Sequence, residues 1–112
     1  MKLLLVSLLW MLGLFHGAAV AQRQNFDQLH HALSIAVGDF TDRLSKEKGD
    51  PKSELWRFLH NIDNYSIGMS QSHDYFIVVF IPRQLSTPIR GGGGEYRIRK
   101  GDLGIESFNG YE

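Results

Sequence analysis

The hydrophobic period of this chain changes once, near residue 64, and that change limits its fold more than any other feature. Up to Ile62 the apolar residues recur every three or four positions; after it they alternate or run together. Side chains share a helix face at a period of 3.6 and a strand face at a period of two. Helices first and strands second imply an α+β domain: one long and one short helix packed on a curved antiparallel sheet of about four strands.

In the helical half, Phe26, Leu29, Leu33, Ala36, Val37, Phe40 and Leu44 lie on one stripe. Asn25 is placed to cap a helix of about 22 residues, with Gln28 completing a capping-box-like pair. Gly49 offers the left-handed residue that ends helices, and Pro51 forbids continuation. A short second helix is expected from an Asp50 cap with Pro51 first, burying Leu55, Trp56, Leu59 and Ile62.

In the strand half, Tyr65, Ile67 and Met69 alternate with Ser66, Gly68 and Ser70. Residues 71–74 make a turn. Tyr75 to Ile81 is unbroken apolar sequence, which predicts a central strand covered on both faces. After Pro82 comes a long connection ending in Gly91–Gly94, read as a flexible entry to the last hairpin. Tyr96 and Ile98 point one way from the next strand, Arg97 and Arg99 the other. Lys100-Gly101-Asp102 turns the chain, and residues 103–108 return. Phe26, Leu33, Val37, Phe40, Phe76, Val78 and Phe80 are the expected core.

The first residues have a different character. Lys2 precedes an apolar run from Leu3 to Phe15, and small residues end at Ala19-Val20-Ala21. That is the order of a cleavable export signal, with the cut before Gln22. The run falls short of the roughly 20 apolar residues that span a bilayer. The expectation is a periplasmic or secreted protein with no stable membrane anchor after cleavage, folding residues 22–112 as one domain. The chain has no cysteine, so its core must hold without disulfides, thiolate metal sites or a cysteine nucleophile.

The last strands resemble a known group. Gly92-Gly93-Gly94-Glu95-Tyr96-Arg97-Ile98-Arg99-Lys100-Gly101-Asp102-Leu103-Gly104-Ile105 is similar to the closing hairpin of bacterial NTF2-fold immunity proteins: a glycine-rich entry, an aromatic-x-Ile strand, a Lys/Gly/Asp turn and a return strand. PepSY-like periplasmic domains carry such hairpins too. The broader order, a helix followed by a meander of strands, resembles cystatin-like and NTF2-like domains. Inhibitory cystatins carry Gln-x-Val-x-Gly in an early hairpin; here that turn is Gln71-Ser72-His73-Asp74. The resemblance implies a non-catalytic exported protein that binds another protein, an immunity or inhibitor protein neutralising a toxin or an enzyme.

The residues themselves assemble no catalytic set. His30 and His31 are adjacent on a helix, about 100° apart, and cannot grip one metal from one face. No metal-protease spacing occurs. His73-Asp74 pairs a base with an orienting acid, but no motif places a nucleophile beside them. The glycine run opens a strand, whereas phosphate-cradling loops open helices. No enzyme activity, metal or cofactor is expected.

Twelve basic residues balance twelve acidic ones, so no global charge points to nucleic acid. Locally, Arg83, Arg90, Arg97, Arg99 and Lys100 stand against Glu95 alone. Arg90, Gly92, Gly93, Arg97 and Arg99 are therefore the candidate binding residues, on the sheet's outer face and the loop before it, for a protein partner. The competing expectation is a small-molecule binder or small enzyme with a pocket between helix and sheet, walled by His60, Tyr65 or His73.

Overall fold

The computed structural model describes residues 25–86 and 88–112. The export signal expected over residues 1–21 lies outside them. Helix α1 occupies 25–46, so Asn25, expected as its cap, is itself helical. The chain divides into two compact units between His30 and His31. In the first, residues 25–30 are helical and Phe26 is 69% exposed. That corrects its placement in the core.

The second unit, His31–Glu112, holds the packed body. Helix α1 is followed by a short helix α2 (Glu54–Leu59), a single 3-10 turn (Ile62–Asn64), and strands β1 (Tyr65–Gln71), β2 (Tyr75–Pro82), β3 (Gly94–Arg99) and β4 (Ile105–Gly110). The strands form one antiparallel meander in the order β1-β2-β3-β4. This is the α+β arrangement that the change of period requires.

The buried stripe of α1 is Ala32, Ala36, Phe40 and Leu44, one turn apart. Leu33 and Val37, expected at its centre, flank it half-buried. Two alanines in succession let a helix backbone approach what it packs on, and Phe40 then supplies the bulk. Its ring stacks on Phe80 at 4.3 Å and meets Tyr65 edge-on at 4.9 Å. Phe76, Val78, Phe80, Tyr96 and Ile98 complete the core from β2 and β3, all inaccessible to solvent. Truncating Phe40 to alanine would cost about 3–5 kcal/mol.

Three local expectations fail for identifiable reasons. Gly49 does not adopt a left-handed conformation; a Cβ there would fall 1.7 Å from the Trp56 indole nitrogen, so glycine makes room for that ring. Helix α2 begins three residues later than expected. Asp50 instead closes a turn, accepting from the Lys52 N–H, and Ser53 is the cap, accepting from Trp56 N–H. Finally, α2 buries none of its residues fully, and Leu55 is 50% exposed.

The glycine run is not slack. Gly91, Gly92 and Gly93 all have φ near +80°, where a side chain is strained. Gly92 donates to the Tyr111 carbonyl and Tyr111 donates back to Gly93, tying the loop to the C-terminal segment.

Candidate functional site

Strand β2 decides which surface is left for function. Its residues alternate strictly: Phe76, Val78, Phe80 and Pro82 are buried, whereas Tyr75, Ile77 and Val79 are partly exposed and Ile81 is 51% exposed. The expected cover on both faces is absent among the described residues; the sheet is one-sided.

The neighbours of β2 explain why its outer residues stay open. Ser66 faces Ile81, Gly68 faces Val79 and Ser70 faces Ile77 across the β1 ladder. These side chains are too small to shield branched ones. On the other flank, Val79 pairs with Glu95, Ile77 with Arg97 and Tyr75 with Arg99. The outer face is thus an aliphatic stripe between a row of small residues and a row of charges.

The two arginines share that face, as their spacing requires, but differ in state. Arg99 is committed: Nε donates to Asp102 at 3.1 Å and Nη1 to Glu106 at 2.7 Å. Asp102 first, and then Glu106, holds its guanidinium charged. Arg97 is exposed, makes no ion pair among the described residues, and has its guanidinium carbon 6.0 Å from the Tyr75 ring centroid. That is the outer limit of a cation–π contact. Among the described residues, Arg97 is an available cation of the outer face.

Gly92 and Gly93 are not brought to Arg97 and Arg99. They line a cleft of about 440 Å³ with Phe40, Tyr65, Arg43 and Phe108, open to solvent. Arg90 is exposed on the connection between β2 and β3. The candidate residues therefore fall on separate surfaces.

The cleft is walled by the aromatics Phe40, Tyr65, Phe108 and Tyr111, and the hydroxyl of Tyr65 is already used. The Tyr65 hydroxyl donates to the Leu59 carbonyl at 2.6 Å. Arg43 lies 4.2 Å from the Phe108 centroid and donates to Asp39 at 2.8 Å. Asp39 also accepts from Tyr96 Oη at 2.6 Å. Burial pushes Asp39 up, but the bonds from Tyr96 and Arg43 outweigh it and hold the carboxyl below its ordinary 3.8. Burial, then the bond to Asp39, pushes the Tyr96 phenol well above its ordinary value.

Of the residues expected to wall a pocket, only Tyr65 lines this cleft. His60 stacks on Trp56 at 3.5 Å, its ring nitrogens 2.8 and 3.2 Å from the Trp56 and Glu47 carbonyl oxygens. It fastens α2 to the segment after α1. His73 bonds Asp74 at 3.0 Å in an open turn, with both side chains mostly solvated. Among the described residues no three His, Asp or Glu side chains gather to hold a metal, and no helix is long and apolar enough to cross a membrane.

Compared with known protein families, with curated proteins and with solved structures, the chain matches none.

The outer stripe Ile77-Val79-Ile81 is the feature that sequence reasoning missed. The signal for it lay in the neighbours rather than in β2. Small polar residues alternating at 66, 68 and 70 and arginines at 97 and 99 mark both flanking strands as one-sided, and a strand between two such neighbours shares their open face.

Proposed function

We propose that this chain is a non-catalytic, exported protein-binding module of the cystatin-like or NTF2-like kind, an immunity or inhibitor protein that neutralises a toxin or an enzyme. The observation that carries this reading is the outer face: a branched aliphatic stripe, partly open to solvent, beside Arg97, which makes no ion pair among the described residues. Exposed apolar surface rimmed by polar groups is characteristic of protein contact sites, and arginine and tyrosine, here Arg97 beside Tyr75, are among the residues that supply most binding energy in such contacts. The core residues of β2 and β3, Phe76, Val78, Phe80, Tyr96 and Ile98, are closed to solvent, which fits recognition on the outside.

The test places a photo-crosslinking residue at Ile81 in the exported protein and compares it with one in the open turn at Gly101. The Ile81 probe should give a discrete protein adduct, and Arg97→Glu should reduce its yield at least tenfold while leaving the circular dichroism unchanged. Equal, diffuse labelling from both positions would contradict the reading.

The cleft favours a second reading, a carrier of a small molecule held against Phe108 and Tyr65. A ligand there would protect those rings, and its binding would be indifferent to Arg97.

A further inference from the structure

The free edge of the sheet carries an inference independent of the outer face. Strand β1 lies at one edge. The Asn64 carbonyl accepts from Arg83 N–H at 2.8 Å, and Ser72 N–H donates to the Tyr75 carbonyl at 2.9 Å, both continuing the β1–β2 register. Antiparallel ladders bond through alternate residues. Even-numbered residues of β1 therefore spend their backbone groups on β2, and those of Ile67, Met69 and Gln71 point to the open edge, whereas the Tyr65 N–H donates to the Ile62 carbonyl in the turn before the strand.

Sheet edges are commonly blunted by charge, proline or a bulge. The opposite edge has two of these devices: Glu106 on β4, and a register shift between Arg97 and Ile98 where β3 meets β4. Strand β1 reads Tyr-Ser-Ile-Gly-Met-Ser-Gln and has none of them. Ile67 is 43% exposed on it and borders a groove of about 490 Å³ walled also by Val37 and Ile62.

We propose that β1 pairs antiparallel with β1 of a second copy, about a two-fold axis through Gly68, giving one continuous eight-stranded sheet. The sequence of β1 is complementary to itself in that register. Ile67 meets Met69 of the second copy on the helix side, in reach of the Val37 and Ile62 side of the groove, which Asp63 and Arg83 also line. Ser66 meets Ser70 on the outer side, Gly68 meets Gly68, and no like charges face each other. A two-fold contact requires this kind of self-matching, which an unrelated strand would have no reason to share.

The chain lacks cysteine, so single cysteines report the register without interference. A Cβ at Gly68 meets nothing within 4 Å. Across the axis, non-hydrogen-bonded partners sit about 4.5 Å apart at Cα, within the range a disulfide spans. The purified chain should show a concentration-dependent monomer–dimer equilibrium by sedimentation, and Ile67→Lys should weaken it at least tenfold. Under mild oxidation Gly68→Cys should form a covalent dimer. Ser66→Cys alone should not, but an equimolar mixture of Ser66→Cys with Ser70→Cys should. Should Ile67→Lys fail to fold, the cysteine series decides by itself. A monomer at every concentration would overturn the proposal, as would Ser66→Cys cross-linking to itself as readily as Gly68→Cys. A monomer whose Ile67 and Met69 amides resist hydrogen exchange would overturn it too, because residues outside the described set would then hold the edge.

Discussion

Two tyrosines tie the helical half to the strand half, and both make stability depend on pH. Tyr96, buried on β3, donates to Asp39 on α1. Because the folded carboxyl titrates below its unfolded value, Asp39 stabilises the protein above about pH 4, and that contribution is lost as pH falls through the folded value. Tyr96→Phe should cost about 1 kcal/mol at neutral pH and return the Asp39 titration, followed by NMR, toward 3.8. An unmoved titration would mean that Arg43 alone sets it. Tyr65 works at the other end of the scale. Burial, and then the charge of Glu47, pushes its phenol up to about 12. A raised folded value stabilises below the unfolded one and is lost as pH climbs from 10 to 12, so alkaline unfolding should begin in that window. Tyr65→Phe should remove part of that slope while losing the bond to Leu59.

Legibility at the scale of elements follows from how local each signal is. The period placed α1, β1 and β3, because amphipathic spacing is set by the nearest core and survives without knowledge of partners; an unbroken apolar run placed β2, and the turn at Lys100-Gly101-Asp102 placed β4. Element ends were harder. Gly49 looked like a helix terminator, yet its role is clearance for Trp56, a contact between different segments that no local pattern records. Gly49→Ala should therefore displace the indole, costing about 1–3 kcal/mol as an overpacking change; emission from Trp56, the one tryptophan after residue 21, should shift with it. The glycine loop behaves similarly. A Cβ on Gly93 would fall 2.0 Å from the Phe80 carbonyl oxygen at φ +78°, so Gly93→Ala should destabilise more than Gly101→Ala. Gly101 shares the positive φ but has open space beside it.

For the molecule as a whole, the candidate site was half legible. Arg97 and Arg99 were rightly placed on one face, but their different fates depend on Asp102 and Glu106 arriving from the turn and β4. Gly92 and Gly93 were grouped with them by nearness in sequence, although the pleat and the loop carry them to the cleft instead. The apolar stripe of β2 was hidden because an all-apolar strand reads the same whether one face or two are covered. The account turns on that distinction. Val78 points into the core and Val79 outward, one residue apart on the same strand. Valine and threonine are nearly isosteric and both suit strands, so substituting each in turn isolates the cost of burying a hydroxyl. Denaturant unfolding should show Val79→Thr within about 0.5 kcal/mol of the parent and Val78→Thr destabilised by about 1–3 kcal/mol. Equal, large losses at both positions would mean that the outer face is covered, and the surface assigned to partner binding would not exist.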